Sequence, residues 1–299
     1  MLFEQEGIRL FDQLQIRYYG LIIVLAMLVA AFVAARLARR DGRDPEHIWG
    51  ALTWAIIPGI FLARLWFVFF PPISITAGCA TEITTDVCRN TAWFLSNFFD
   101  LQNGAIAIWS GGLSIFGAVL GGFIGAYLYL RRNKLPFGPW MDIAAVALPL
   151  GQAIGRWANY VNQELYGTVT NLPWGIQIDA AHRVAPYTST IDYEYATTFF
   201  HPLFLYESLW SILAFIVLLN LFTRFRGRLL AGDLFLVYIA QYAFIRFILE
   251  FIRVDVTQVG GINFSQLVCV VAFIGAVGYF LYRHRGGAVN QQPQQAAQS

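Results

Sequence analysis

The sequence predicts an all-α fold: a polytopic membrane helix bundle with seven transmembrane helices. Three observations carry that expectation. The chain of 299 residues is 58% hydrophobic and only 13% charged, with a mean hydropathy of +0.56, whereas soluble domains carry roughly 25% charged residues. Its apolar residues fall into seven runs, each near the ~20 residues that cross the hydrocarbon core. Its positive residues gather between alternate runs. The net charge of +2 is too small to imply a nucleic-acid partner, and no basic block is interleaved with aromatics.

The first run, Tyr19 to Ala35, is followed by Arg36, Arg39, Arg40 and Arg43. A cleaved secretory signal carries its charge before the apolar run, so this run reads as a retained helix. The remaining spans are expected at about 48–70, 106–130, 140–157, 201–222, 232–252 and 263–282. The third is glycine-rich, and Gly117, Gly121 and Gly125 leave one helical stripe without side chains. Such a stripe serves close helix packing or leaves room for a lipid chain or a peptide. The fourth is interrupted by Asp142, Pro149, Gln152 and Arg156.

Arg36, Arg39, Arg40, Arg43, Arg131, Arg132, Lys134, Arg224, Arg226, Arg228, Arg283 and Arg285 share one set of loops, twelve of the 20 positive residues. The positive-inside rule places that set in the cytoplasm. Seven spans then put the N-terminus outside and the C-terminus in the cytoplasm. Residues 1–285 form the expected membrane domain, with outer loops at about 71–105 and 158–200. Residues 286–299 are Gln/Ala-rich and uncharged, and are expected to be a disordered cytoplasmic tail. Cys79 and Cys88 lie in the first outer loop and are a possible disulfide, although spacing alone fixes no geometry. Cys269 reads as an apolar core residue. The four histidines, His47, His182, His201 and His284, have no metal-ligand spacing. Neither a phosphate-binding glycine loop nor a serine-nucleophile elbow is present, and no metal or cofactor is expected.

Three motifs carry chemistry. Gly155-Arg156-Trp157-Ala158-Asn159-Tyr160-Val161-Asn162-Gln163-Glu164-Leu165-Tyr166-Gly167 ends the fourth span with polar groups that are costly at membrane depth and often mark sites. If the helix continues, Arg156, Asn159 and Gln163 share one face. The planar fork of an arginine suits a phosphate, and Asn159 and Asn162 suit hydroxyls. A packing network with Arg156 paired to Glu164 or Asp142 is the structural alternative. In the sixth span, Tyr242, Arg246, Glu250 and Arg253 fall on one helical face. Glu250 between two arginines forms an ion-pair ladder or leaves spare positive charge for an anionic lipid headgroup. The fifth span opens with His201-Pro202-Leu203-Phe204-Leu205-Tyr206-Glu207, where proline is tolerated and His201 is a base, a phosphate ligand or a cap.

Together these motifs resemble the prolipoprotein diacylglyceryl transferase family. Gly155 to Gly167 is similar to the family's G-R-x-G-N-F-x-N-x-E-x-x-G, with Ala158 and Tyr160 departing from it. His201 to Glu207 matches H-P-x-x-L-Y-E, Arg246 to Arg253 matches R-F-x-x-E-F-x-R, and Tyr19-Gly20 and Asp142 to Gly151 match further family segments. Gly111 to Gly117 resembles G-G-[ML]-S-x-H-G, with Phe116 in place of the histidine, and phenylalanine cannot accept a proton.

The resemblance implies transfer of the diacylglyceryl group of phosphatidylglycerol to the lipobox cysteine of a prolipoprotein signal peptide. A thioether forms and glycerol phosphate leaves. The implied setting is the bacterial cytoplasmic (inner) membrane, with the active site toward the outer face. Arg246 is expected to stabilise the leaving group, oriented by Glu250. Tyr19, Glu164 and His201 are expected to orient groups or move protons. Arg156, Asn159, Asn162, Glu164, Gly167 and Tyr242 are expected to bind phosphatidylglycerol. A transporter or channel for an anionic solute is the alternative from another class, although no repetition between halves supports it. Ala77-Gly78-Cys79 looks like a lipobox end, but Thr76 and its distance from the N-terminus speak against self-lipidation.

Overall fold

The computed structural model describes the whole chain except residues 1–2, 5–6, 12–13, 72–88, 109–110, 255, 257, 260–261 and 286–299. Cys79, Cys88 and the expected disordered tail therefore lie outside the described residues. Each of the seven apolar runs contains a helix: α1 (Tyr18–Arg40), α2 (Glu46–Phe69), α4 (Ile115–Arg132), α5 (Phe137–Val161), α6 (Leu203–Arg224), α7 (Asp233–Leu249) and α8 (Phe264–His284). A short helix, α3 (Thr91–Ser96), lies between α2 and α4, and Asn90 caps it through a 2.8 Å bond from the Trp93 N–H.

Four helices, α1, α2, α6 and α8, are long and apolar enough to cross a membrane by length and composition. Large apolar side chains stand exposed along them, including Leu28, Phe32, Phe61, Ile216, Val271 and Ile274. A water-exposed surface of that kind would be an association hazard, whereas lipid is its natural solvent. The protein is a helical, multi-pass membrane protein.

The all-α expectation needs correction in detail. Strands β1 (Phe3–Glu4), β2 (Gly7–Phe11) and β3 (Leu14–Arg17) form an antiparallel sheet just before α1, and β4 (Gln258–Val259) pairs with β5 (Ile262–Asn263) just before α8. Leu14-Gln15-Ile16-Arg17 alternates apolar and polar residues with the period of a strand. Strands of two to five residues are too short to stand out beside 20-residue apolar runs.

The chain divides into two compact units. In residues 38–137, α2 packs along α4. A Cβ at Gly117, Gly121 or Gly125 would lie 2.1, 2.2 or 2.0 Å from the carbonyl oxygens of Leu62, Pro58 and Trp54. The glycine stripe is therefore filled by the backbone of α2, as close helix packing requires. The third span also begins later than 106. Gly111 and Gly112 adopt φ of +88° and +69°, which a helix does not allow, and Arg64 gathers the preceding loop. Its guanidinium donates to the carbonyls of Gly104 (2.6 Å), Ala105 (2.8 Å), Gly111 (2.6 Å) and Gly112 (3.1 Å). That network satisfies a buried cation with backbone dipoles instead of a carboxylate.

The second unit comprises residues 1–37 and 138–299. Here α5 leans on α1 through Gly151 and Gly155, which face Ala26, Ala30 and Ile23. It joins α6 through a 2.9 Å bond from the Ser208 hydroxyl to the Ala153 carbonyl, and α7 through a 2.9 Å bond from Gln152 to the Tyr238 hydroxyl. α6 packs on α7, and α7 on α8. Despite Pro149, α5 is one continuous helix. Asp142, an apparent interruption in sequence, is buried and accepts from the N–H groups of Gly232 (2.7 Å) and Phe235 (3.1 Å). It thus caps the start of α7 from another helix, where a negative charge suits the orphan donors and the helix dipole.

Candidate active site

The site is assembled from the ends of α5, α6 and α7, all within the second unit. Arg156 occupies the second-last turn of α5, Glu207 the second turn of α6, and Arg246 the last turn of α7, with Glu250 at its C-cap. The Arg156 guanidinium forms an ion pair with Glu207 Oε2 and donates to Asn159 Oδ1 at 3.3 Å. Arg246 reaches Glu250 Oε2 at 2.7 Å with one terminal nitrogen and Glu207 Oε1 at 3.5 Å with the other. Glu207 thereby bridges two arginines that lie 90 positions apart in sequence. Glu207 and Glu250 are nearly inaccessible to solvent, while the two arginines retain 21% and 14% side-chain exposure. All four charged side chains are therefore mostly buried, the carboxylates more deeply than the arginines.

Asn159 passes the network on, since its amide donates to Glu164 Oε1 at 2.7 Å. Tyr242 and Tyr19, the latter in the first turn of α1, lie within electrostatic reach of Arg156, and Tyr19 also of Glu164. Of the expected site residues, the structure thus brings together Arg156, Asn159, Glu164, Arg246, Glu250, Tyr242 and Tyr19.

The other expected residues stand differently. Asn162 closes the end of α5 with its N–H to the Ala158 carbonyl at 3.0 Å, and among the described residues its side chain joins no hydrogen bond. Gln163 does not extend the α5 face: the helix ends at Val161, and Gln163 turns away with φ of +50°. Its side chain instead clasps Asp179, donating to Oδ2 at 2.6 Å and accepting from the backbone N–H at 2.7 Å. His201 sits on a separate relay in which Trp174 donates to the Tyr206 hydroxyl at 2.9 Å and that hydroxyl lies 3.1 Å from His201 Nδ1. Phe116, in the other unit, packs against Trp66 with ring centroids 5.9 Å apart. Among the described residues, no group of three His, Cys, Asp or Glu side chains is placed to hold a metal ion.

Gly167 makes its contacts through the backbone. Its N–H donates to the His201 carbonyl at 2.9 Å, Thr168 donates to Ile252 at 2.8 Å, and Gly167 bridges Arg253 as in a sheet. A Cβ there would lie 2.8 Å from both His201 Cβ and the Ile252 oxygen. This contact joins the segments that follow α5 and α7 to the one that precedes α6. Arg253 leaves the Tyr242–Glu250 face because α7 stops at Leu249.

Two readings from sequence change as a result. Arg156 pairs with Glu207, and neither Glu164 nor Asp142 takes that place. The spare positive charge is also balanced, because two carboxylates face the two arginines. The sequence did hold a signal for Glu207: an acidic residue within an otherwise apolar run, one helical turn beyond Leu203. Only contacts between helices reveal its partners.

The sequence profile described as "Prolipoprotein diacylglyceryl transferase" matches residues 6–282, a range that includes every residue of this cluster. A protein of Chloroflexus aggregans named phosphatidylglycerol–prolipoprotein diacylglyceryl transferase is 35% identical over 287 residues, covering 90% of this chain and 86% of its own. A protein of the same name from Pediococcus pentosaceus is 35% identical, covering 91% and 87%, and one from Thermotoga maritima is 34% identical, covering 94% and 84%. With the profile spanning nearly the whole chain and such relatives aligned along most of their length, this chain belongs to the prolipoprotein diacylglyceryl transferase family.

Proposed function

We infer that the protein is a transferase that moves the diacylglyceryl group of phosphatidylglycerol to a prolipoprotein, at the lipobox cysteine of its signal peptide. The observation that carries this reading is the family match over residues 6–282, which takes in the Arg156–Glu207–Arg246–Glu250 cluster. Chemically, a C–S bond forms at the glycerol carbon as the C–O bond to phosphate breaks. Glycerol phosphate leaves with the bonding pair, and the thiol's proton ends on the released phosphate or in water.

Two arginines paired to buried carboxylates suit that reaction. Arg156, held by Asn159 and Glu207 with Tyr242 nearby, grips the phosphodiester. Arg246, aimed by Glu250, stabilises charge that grows on the leaving oxygen, an effect that is large in a water-poor site. Asn162, Glu164 and the backbone at Gly167 shape the headgroup pocket. Tyr19 and His201 orient groups around it. A guanidinium near the cysteine favours the nucleophilic thiolate, so proton removal needs no histidine at position 116.

The bilayer fits the same scheme. α4 and α7, with 18 and 17 residues, are roughly 26 Å long at ~1.5 Å per residue, close to the hydrocarbon thickness. Seven helices then span the bacterial inner membrane, with the N-terminus outside and the C-terminus in the cytoplasm. The cluster, near the C-terminal ends of α5 and α7, faces the outer leaflet, where phosphatidylglycerol and a signal-peptide cysteine arrive by lateral diffusion.

The test combines purified protein, phosphatidylglycerol and a lipobox peptide. The expected result is a mass gain of one diacylglyceryl group on the peptide's cysteine. No gain, together with flux of an anionic solute in proteoliposomes, would replace the enzyme by a transporter.

A further inference from the structure

We propose that Glu207 is an internal counter-ion that holds Arg156 and Arg246 and gives way when the phosphate of the lipid arrives. The proposal rests on the phosphatidylglycerol reading above and makes Glu207 a positioning residue, one that acts through the arginines.

Charge balance is the first argument. Arg156, Arg246, Glu207 and Glu250 sum to zero, and Glu164, linked to Arg156 through Asn159, adds no positive charge. A phosphodiester brings one more negative charge to a largely buried group, where like charges repel more strongly than in water. The arginines accept it only if a carboxylate loosens.

Geometry selects which carboxylate loosens. Glu250 lies one turn beyond Arg246 at the end of the same helix, contacts it at 2.7 Å, and has a side chain only 1% exposed. The two form an ion pair within one helix, and Glu250 has less room to withdraw than a residue on another helix. Glu207 comes from a different helix, divides its two oxygens between two arginines, and touches Arg246 only at 3.5 Å. That is outside the short range of strong charge-assisted bonds. A phosphate oxygen that inserts at Arg246 therefore breaks the weakest contact of the cluster. The two guanidiniums that Glu207 gathers are also the pair a bidentate oxyanion needs, so the carboxylate holds them in register for the lipid. After the reaction, its return to the arginines helps expel glycerol phosphate.

Glu207→Gln tests this directly, because it keeps the shape and removes the charge. Binding of glycerol phosphate to the detergent-purified full chain is measured by calorimetry, and KM and kcat by peptide mass gain. Glutamine is expected to tighten glycerol phosphate at least tenfold. KM for phosphatidylglycerol falls with it, and kcat falls as product release slows. A merely structural glutamate would instead leave binding unchanged or weaken it. Glu207→Asp retains the charge and draws it back by one methylene, so it protects folding and is expected to tighten binding several-fold. It decides alone if the glutamine variant does not accumulate folded. If wild type binds glycerol phosphate and modifies the peptide while both folded variants bind no more tightly, the Glu207 proposal is overturned and the transferase reading stands. If wild type does neither, the transferase reading fails and the proposal falls with it.

Discussion

Arg246→Lys separates charge from shape at the leaving group. The guanidinium spreads its donors over two nitrogens, reaching Glu250 at 2.7 Å and Glu207 at 3.5 Å. A lysine ammonium concentrates the same charge at one point on an unforked stem. It retains the ion pair with Glu250 but loses the second arm that reaches toward Glu207 and the phosphate. The loss is about one charge-assisted hydrogen bond, ~1.5–3 kcal/mol. If that bond forms mainly in the transition state, kcat/KM falls roughly 10- to 150-fold, at about 1.4 kcal/mol per decade. Folding is spared, because Glu250 keeps a cation. Arg246→Ala would strand a buried carboxylate, at a cost of about 3–5 kcal/mol. The assay is the initial rate of mass gain on a lipobox peptide at several phosphatidylglycerol concentrations, with thermal unfolding in parallel. A kcat/KM within about threefold of wild type, at an unchanged Tm, would refute the reasoning.

Three further outcomes follow from the geometry. Gly167→Ala pushes a Cβ to 2.8 Å from His201 Cβ and the Ile252 oxygen. It should cost ~1–3 kcal/mol of stability through overpacking, read as a lower Tm, and activity should fall with it. Arg64→Met strips donors from four carbonyls of the loop before α4 and should destabilise by about 3 kcal/mol or more; an unchanged thermal melt would show that the loop stands without the clamp. Asn159→Ala removes the links to Arg156 and Glu164 and should raise KM for phosphatidylglycerol by roughly tenfold, in line with about 1.4 kcal/mol, with a smaller change in kcat.

Much of this protein was legible in one dimension. Hydropathy located the seven long helices, four of them long and apolar enough to cross a membrane, because an apolar run is a local property of the chain. The spacing Arg246–Glu250 predicted their ion pair, since four residues are one helical turn. The same logic misled where a helix ended. Gln163 and Arg253 shared a face with Arg156 and Glu250 only if α5 and α7 continued, and both stop first. Termini depend on a few residues and on tertiary hydrogen bonds, such as those of Gly167 and Thr168 to His201 and Ile252.

By itself the sequence determined the solvent, the long helices and the family, because each follows from local composition or from a motif. Tertiary structure alone decided three things. It filled the stripe of Gly117, Gly121 and Gly125 with the backbone of α2. It turned Asp142 from an interruption into the cap of α7. And it chose Glu207, on a third helix, as the partner of both Arg156 and Arg246. Charges in a poorly solvated interior pair with whatever packing brings within reach, and proximity between helices is not written in the spacing of either one.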